Sequence, residues 1–175
     1  MTITLYEISV PIFIRGLSTL SHILTEAEKY AKDKDIPTSE FVEARLYPDM
    51  LPLSFQVQTA SDISKSAVAR VAGTEPVSMK DNETTIEELQ DRIARTIVIL
   101  KSVKQEDFEG REDEEIVVKD DRKFTGRTYF QDHSLPNFLF HVTMAYGILR
   151  SKGVPLGKRD YLKYFYPGIS IDLNV

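Results

Sequence analysis

The chain has 175 residues, of which 42% are hydrophobic and 28% charged, and this composition is typical of one globular domain covering residues 1–175. A net charge of −5 speaks against a nucleic-acid-binding protein, and no apolar run approaches the roughly 18 residues of a membrane helix. Cysteine is absent, which excludes disulfides and thiolate-bound metals, and the N-terminus lacks the features of a signal peptide, so we expect a cytoplasmic protein.

Apolar residues at spacings of three and four predict four long helices. We expect the first over about residues 7–33, with Pro11 in its first turn, where proline is tolerated. The second is expected over about residues 52–72, and Gly73 stops it in the usual position of a helix C-cap.

The second half of the chain continues this pattern. A third helix is expected over about residues 84–103, because a threonine at its start is followed three residues later by a glutamate, as in a capping box. The segments 115–119 and 123–125 then predict a short β-hairpin. The fourth helix is expected over about residues 136–151, and its largely apolar surface marks it as the most buried helix.

These elements predict an all-α fold, a four-helix bundle with a short β-hairpin insert before the last long helix. Bundles of this kind place their sites in the core between facing helices. The tail from Pro155 to Pro167 is aromatic and interrupted by proline, so we expect it to wrap the bundle or to join an interface. A homodimer is compatible with this tail.

The segment from Leu135 to His141 is the strongest candidate for a functional site. It opens the last helix and places an amide, Asn137, and an imidazole, His141, four residues apart on one helix face. Their neighbours are apolar, so we expect the pair to point into the core or a pocket. A buried polar pair needs partners, which are either a ligand or other side chains of the protein. Both interpretations stay open.

The second helix offers the opposing face. Gln58, Asp62 and Lys65 follow one another there at spacings of four and three. Asp62 is a candidate base, a candidate partner that orients an imidazole, or a candidate metal ligand. The alternative is an ion pair between Asp62 and Lys65 on the protein surface.

Five residues are candidates for substrate binding. Val57 and Phe138 would supply apolar surface, and Gln58 an amide. The hydroxyl of Tyr146 would line a pocket, unless it is buried and bonded to the backbone. His22 belongs to a polar stripe that is usually the solvent face of a helix, yet it can reach the core from the edge of the stripe.

Three blocks of the sequence carry a resemblance to a known family. They are Val10–Leu17, the stretch Ala44–Leu53 that leads into Gln56–Gln58, and Leu135–Lys158. On these residues, which span nearly the whole chain, the protein resembles a family of unknown function within the DinB/YfiT-like superfamily of helical bundles. The resemblance implies a four-helix bundle with up-down-down-up connectivity, often dimeric.

The resemblance also bears on metal binding. Many members of the superfamily bind a divalent metal through three histidines, one on the second helix and two at i, i+4 on the last. Here the last-helix pair corresponds to Asn137 and His141, while the second helix has only Gln58 and Asp62 near the expected place. An amide and a carboxylate in place of two imidazoles weaken a zinc or nickel site. We therefore expect no cofactor; a metal, if bound, would have His141, Asn137 and Asp62 as its ligands.

Three functions are compatible with these residues. The preferred one is a metal-independent isomerase, cyclase or lyase that acts on a small hydrophobic organic molecule in an apolar pocket of the bundle core. His141 would be its general acid or base, Asn137 a donor to a carbonyl or oxyanion, and Asp62 or Gln58 the group that fixes the imidazole or the substrate. The alternatives are a metal-dependent DinB-like transferase or hydrolase, and a non-catalytic ligand-binding bundle in which the polar pair is purely structural.

Overall fold

Four long helices form the body of the protein, which we describe from a computed structural model covering residues 3–166. In chain order the helices are α1 (Val10–Lys34), α2 (Ser39–Val42), α3 (Leu53–Ala72), α4 (Ile86–Ser102), α5 (Gly126–Thr128), α6 (Leu135–Ser151) and α7 (Lys158–Leu162). The long helices α1, α3, α4 and α6 lie where the sequence places them, and the predicted four-helix bundle is confirmed.

The bundle is closed by contacts between neighbouring long helices. Helix α1 packs against α4 and α6, and α3 packs against the same two helices. The core between them is apolar, and each large side chain that is fully buried there stabilises the fold by about 1.5–3 kcal/mol. Its fully buried side chains include Phe13, Leu17, Leu20, Leu53, Val57, Phe138, Val142 and Ile148.

Local sequence signals set several helix ends. Pro11 occupies the first turn of α1, and Gly73 ends α3 with a φ of +68°, in the left-handed region that favours glycine. At the start of α4, the Thr85 hydroxyl accepts a hydrogen bond from the backbone N–H of Glu88, whose carboxylate accepts one in return from the N–H of Thr85. The predicted capping box is confirmed.

The predicted hairpin is also present. Strand β1 (Glu115–Val117) pairs antiparallel with β2 (Lys123–Thr125), with Ile116 opposite Phe124, and a short 3₁₀ turn at Lys119–Asp121 connects them. A further 3₁₀ turn at Gln105–Phe108 links α4 to this hairpin.

Helix α6 is preceded by helical turns that the sequence pattern did not predict. Helix α5 leads into a π-helical stretch, Tyr129–Ser134, which joins α6 directly. Pro136 explains the wide turn, because it has no N–H to donate and its ring crowds the carbonyl four residues earlier. The Ser134 hydroxyl donates to the Tyr129 carbonyl at 3.0 Å, so that carbonyl has an additional partner.

The C-terminal segment packs across the bundle as far as it is described. Helix α7 and the 3₁₀ turn Lys163–Phe165 lie against α1, where the Thr19 hydroxyl donates to the Tyr161 carbonyl at 3.0 Å. Pro167, the end of the predicted tail, lies outside the described residues. Among the helices of residues 3–166, none has both the length and the apolarity needed to cross a membrane.

Candidate functional site

A hydrogen bond between helices α3 and α6 holds the His141 imidazole. Nδ1 of His141 lies 2.8 Å from Oε1 of Gln56, whose own Nε2 donates to the carbonyl of Leu51 at 3.1 Å. Since the amide nitrogen of Gln56 is engaged with that carbonyl, its oxygen faces the imidazole and can only accept. Nδ1 of His141 therefore carries the proton, and in the neutral ring Nε2 keeps a free lone pair.

The surroundings of His141 favour the neutral imidazole. The residue is 9% exposed, and the rings of Phe55 and Phe140 lie edge-on with centroids 6.0 and 5.3 Å from the imidazole. Burial lowers the pKa of His141, because removal from water disfavours the imidazolium ion. Nε2 has no hydrogen-bond partner among the described residues and is not sealed from solvent. The site therefore presents an uncharged nitrogen base at its surface.

Asn137 lies one turn before His141 on α6 and is half-buried. Its side chain makes no hydrogen bond within the described part of the chain. The amide is therefore available to a ligand that approaches the same helix face.

Asp62 and Gln58 do not hold the imidazole. Gln58 donates to Glu83 at 2.9 Å, and Asp62 forms ion pairs with Lys65 at 2.8 Å and Arg92 at 2.7 Å. The assignment of Asp62 or Gln58 to orient His141 is therefore wrong, and Gln56 has this role. The reason is helical geometry, since six residues turn a helix by about 600°, which directs Gln56 and Asp62 to different sides of α3.

The partner of Asp62 is a buried arginine, Arg92, which was not among the predicted site residues. Arg92 is fully buried and also pairs with Asp81 at 2.8 Å and Glu83 at 2.9 Å. The sequence contained a sign of its burial, because the helical spacing places Arg92 between Leu89 and Thr96 on the buried face of α4. This cluster joins α3, α4 and the loop before α4, on the side of α3 away from Gln56.

The predicted apolar cavity at the bundle centre is not what the structure shows. Val57 and Phe138 are fully buried, and the ring of Phe138 packs on Phe13 with centroids 5.0 Å apart, beside Gly16. Phe140 of α6 is 55% exposed at the surface. Side chains thus fill the space, and the accessible edge of His141 lies at the surface of the bundle.

Among the clefts within the described residues, four have volumes of about 200, 470, 590 and 420 Å³, and His141 lines none of these four. The cleft of about 590 Å³ contains His22, whose Nε2 lies 3.1 Å from Oδ1 of Asp160. Tyr146 packs edge-on against Tyr161 of α7, with centroids 6.0 Å apart. The structure therefore does not bring His22 to His141.

Comparison with known proteins gives the family. A model described as a domain of unknown function, DUF1993, matches residues 5–162. The chain belongs to the DUF1993 family. It is also similar to the crystal structure of a DinB family member protein from Shewanella denitrificans, with 36% identity, a TM-score of 0.87 and coverage of 90% of this chain and 91% of that one. A comparison with curated proteins found no match.

The donor set of this DUF1993 protein does not fit the three-histidine metal site that the resemblance implies. At the corresponding place, His141 is the single imidazole: its hydrogen bond to Gln56 leaves Nε2 free, but no second imidazole accompanies it. Asp62 is committed to Lys65 and Arg92. Across residues 3–166, no group of three or more His, Asp or Glu side chains is arranged to hold a metal ion.

Proposed function

We propose that this protein is a metal-independent enzyme in which His141 acts as a general base on a small apolar organic molecule. The observation that carries the proposal is the hydrogen bond from Nδ1 of His141 to Oε1 of Gln56. It selects one tautomer and leaves Nε2, which is not sealed from solvent, free to accept a proton.

The neighbouring amide suits a reaction in which negative charge develops on an oxygen. Asn137 lies on the same face of α6, and its N–H groups would donate to a carbonyl or enolate oxygen while His141 removes a proton. A placed general base commonly accelerates proton transfer by about 10²–10⁴-fold. This chemistry is that of an isomerase, cyclase or lyase.

The aromatic rings around the imidazole support an apolar substrate. Phe55 and Phe140 flank His141, and the exposed side chain of Phe140 offers a surface on which a planar ligand can lie. Binding there would withdraw the base from water, which strengthens its interaction with the reacting proton.

Proton transfer by His141 also agrees with the chemistry of the donors nearby. One imidazole and two neutral amides, Asn137 and Gln56, are a weak ligand set for zinc or nickel, and the carboxylate of Asp62 lies on another side of α3, paired with two cations. We therefore assign no step to a metal.

The test uses 5-nitrobenzisoxazole, an apolar aromatic probe that any suitably placed base can open. The base takes the proton from the ring carbon, the C–H electron pair forms a nitrile, and the N–O bond breaks to release a coloured phenolate. We expect the wild type to accelerate this reaction and His141→Gln to reduce the acceleration by about 10²-fold. Gln56→Leu should reduce it less, because the imidazole remains but loses its acceptor.

His133→Gln is the matched control, because it removes an imidazole that packs against Phe124 and Tyr129 and should leave the rate unchanged. If the wild type gives no acceleration, or if His141→Gln retains it, the proposal is wrong and a non-catalytic ligand-binding bundle is favoured. A rate that requires added divalent metal would instead favour a metal-dependent DinB-like transferase or hydrolase.

A further inference from the structure

A polar cleft separate from the His141 site lies where α7 and the following 3₁₀ turn pack on α1. It has a volume of about 590 Å³ and is lined by His22, Arg159, Asp160, Lys163 and Tyr166. Ligand sites typically occupy about 300–1,000 Å³, so the cleft is large enough for a small organic molecule. None of the side chains assigned to proton transfer at His141 contributes to it.

Asp160 orients the imidazole of His22 in this cleft. Oδ2 of Asp160 accepts a hydrogen bond from the backbone N–H of Gly157 at 2.7 Å, and Oδ1 lies 3.1 Å from Nε2 of His22. The Gly157 hydrogen bond, with a smaller contribution from His22, outweighs partial burial and lowers the pKa of Asp160, so the carboxylate is ionised and acts only as an acceptor.

Because the carboxylate can only accept, Nε2 of His22 carries the hydrogen that it donates. Nδ1 is then left without a hydrogen-bond partner in the described part of the chain, and it is not sealed from solvent. The side chain of His22 is 13% exposed, and the ring of Tyr164 lies edge-on at 6.3 Å. The imidazole is thus held in one orientation beside the cleft, with one nitrogen free.

Two cations of the cleft lack carboxylate partners. Neither Arg159 nor Lys163 forms an ion pair within residues 3–166, and Nζ of Lys163 lies over the ring of Tyr164, 5.5 Å from its centroid. They are four residues apart on neighbouring helical turns. The single carboxylate of the lining, Asp160, already has both oxygens occupied. The lining therefore carries two positive charges, of Arg159 and Lys163, against the single negative charge of Asp160.

We propose that this cleft is a binding site for a small oxyanion, a carboxylate or a phosphate, held by Arg159 and Lys163 beside the imidazole of His22. The planar guanidinium of Arg159 matches the two oxygens of either group, and Lys163 adds a point charge. The phenol of Tyr166 borders the cleft and would contact the rest of an organic ligand. The site is independent of the chemistry proposed for His141.

The experiment is a titration of the protein followed by two-dimensional NMR at constant ionic strength. Inorganic phosphate and succinate are added separately, and sodium chloride keeps the salt concentration fixed. We expect saturable shifts at His22, Asp160 and Tyr166 with at least one of the two anions. Saturation by phosphate alone identifies a phosphate site, and saturation by succinate alone identifies a carboxylate site.

Two substitutions in α7, Arg159→Ala and Lys158→Ala, provide the test and its control. Arg159→Ala should weaken binding by at least about tenfold, the effect of losing a charged hydrogen bond. Lys158→Ala removes the same charge from the adjacent exposed residue, which does not line the cleft, and should change affinity less than about twofold. Lys163→Ala should also weaken binding, because it removes the second cation of the lining.

Two results would overturn the proposal. One is the absence of saturable shifts in the wild type with either anion. The other is an equal loss in Lys158→Ala and Arg159→Ala, which would mean that the anion responds to the overall charge of α7 and not to a built site. Both variants replace exposed side chains, and unchanged spectra elsewhere in the chain would verify that they fold.

Discussion

The protonation of His141 links the proposed chemistry to stability. In the folded protein, burial lowers the pKa of His141 below the ordinary histidine value of about 6.5. The unfolded chain then binds this proton more readily than the folded one. The stability of the folded protein is therefore not reduced by His141 at a pH above the ordinary histidine pKa. As the pH falls from that pKa towards the lowered pKa of the folded state, protonation of the unfolded chain reduces the stability.

This direction of the pH dependence can be tested by urea unfolding of the wild type and His141→Gln at about pH 8 and about pH 5. The wild type should lose stability relative to the variant as pH falls, because glutamine does not titrate. The pKa of His133 is lowered too, by burial and by Arg122 and Arg70, but His133 is present in both proteins and cancels from the difference. A difference between the two proteins that does not change with pH would contradict the prediction.

At the scale of the elements, the contact between α1 and α6 depends on one glycine. A Cβ added at Gly16 would lie 2.6 Å from Cζ of Phe138 and closer still to Cε1. Phe138 is fully buried against Phe13, so its ring has little room to move. The absence of a side chain at Gly16 therefore allows the two helices to approach.

We expect Gly16→Ala to lower the free energy of unfolding by about 1–3 kcal/mol, the usual cost of overpacking a core. Gly147→Ala is the matched control within α6, because a Cβ there meets no atom within 4 Å. It should leave stability unchanged or raise it by up to about 1 kcal/mol, since alanine is the better helix former. Chemical denaturation measures both, and equal effects of the two variants would contradict the packing argument.

The long helices were predictable because their signals are local. Pro11, Gly73 and the Thr85–Glu88 capping box mark helix ends through the backbone geometry of the residues themselves. The turns before α6 were not predicted, because the periodicity that starts at Leu135 gives no sign of the π-helical stretch that precedes Pro136. The hairpin was predicted from its β-rich segments and the polar turn between them.

The candidate site was only partly predictable. The face shared by Asn137 and His141 follows from spacing within one helix, but the choice among Gln56, Gln58 and Asp62 depends on how α3 is rotated against α6. That rotation is set by packing across the whole bundle, which no local pattern contains. The predicted ion pair between Asp62 and Lys65 is present at 2.8 Å, but Lys65 is buried, so it is not the surface pair that was expected.

For the molecule as a whole, the buried charge cluster around Arg92 fastens the loop before α4 to the bundle. Arg92 donates to the carbonyl of Lys80 at 2.9 Å as well as pairing with Asp81 and Glu83 on that loop. Although burial opposes ionisation of Glu83, hydrogen bonds from Arg92 and Gln58 outweigh it and lower the pKa of Glu83. The loop is thus held to α3 and α4 by ion pairs and hydrogen bonds.

Arg92→Met should destabilise the fold by about 3–5 kcal/mol, because it leaves the buried carboxylate of Glu83 without its cation. Arg95→Met, one turn later on α4, removes an exposed ion pair with Asp91 and should cost less than about 1 kcal/mol. Thermal and urea unfolding measure the loss of stability in each of the two variants. Similar losses in both variants would show that the buried cluster contributes no more than an ordinary surface pair.

The wide turn at Tyr129–Ser134 has a consequence for changes in chain length. A helix rotates by about 100° for each residue, and this stretch runs into α6 without a flexible break. Deleting or inserting one residue there would rotate every side chain of α6 together, which would take His141 away from Gln56 and Phe138 away from Gly16. The stretch therefore works as a spacer of fixed length, and we expect it to tolerate substitutions far better than insertions or deletions.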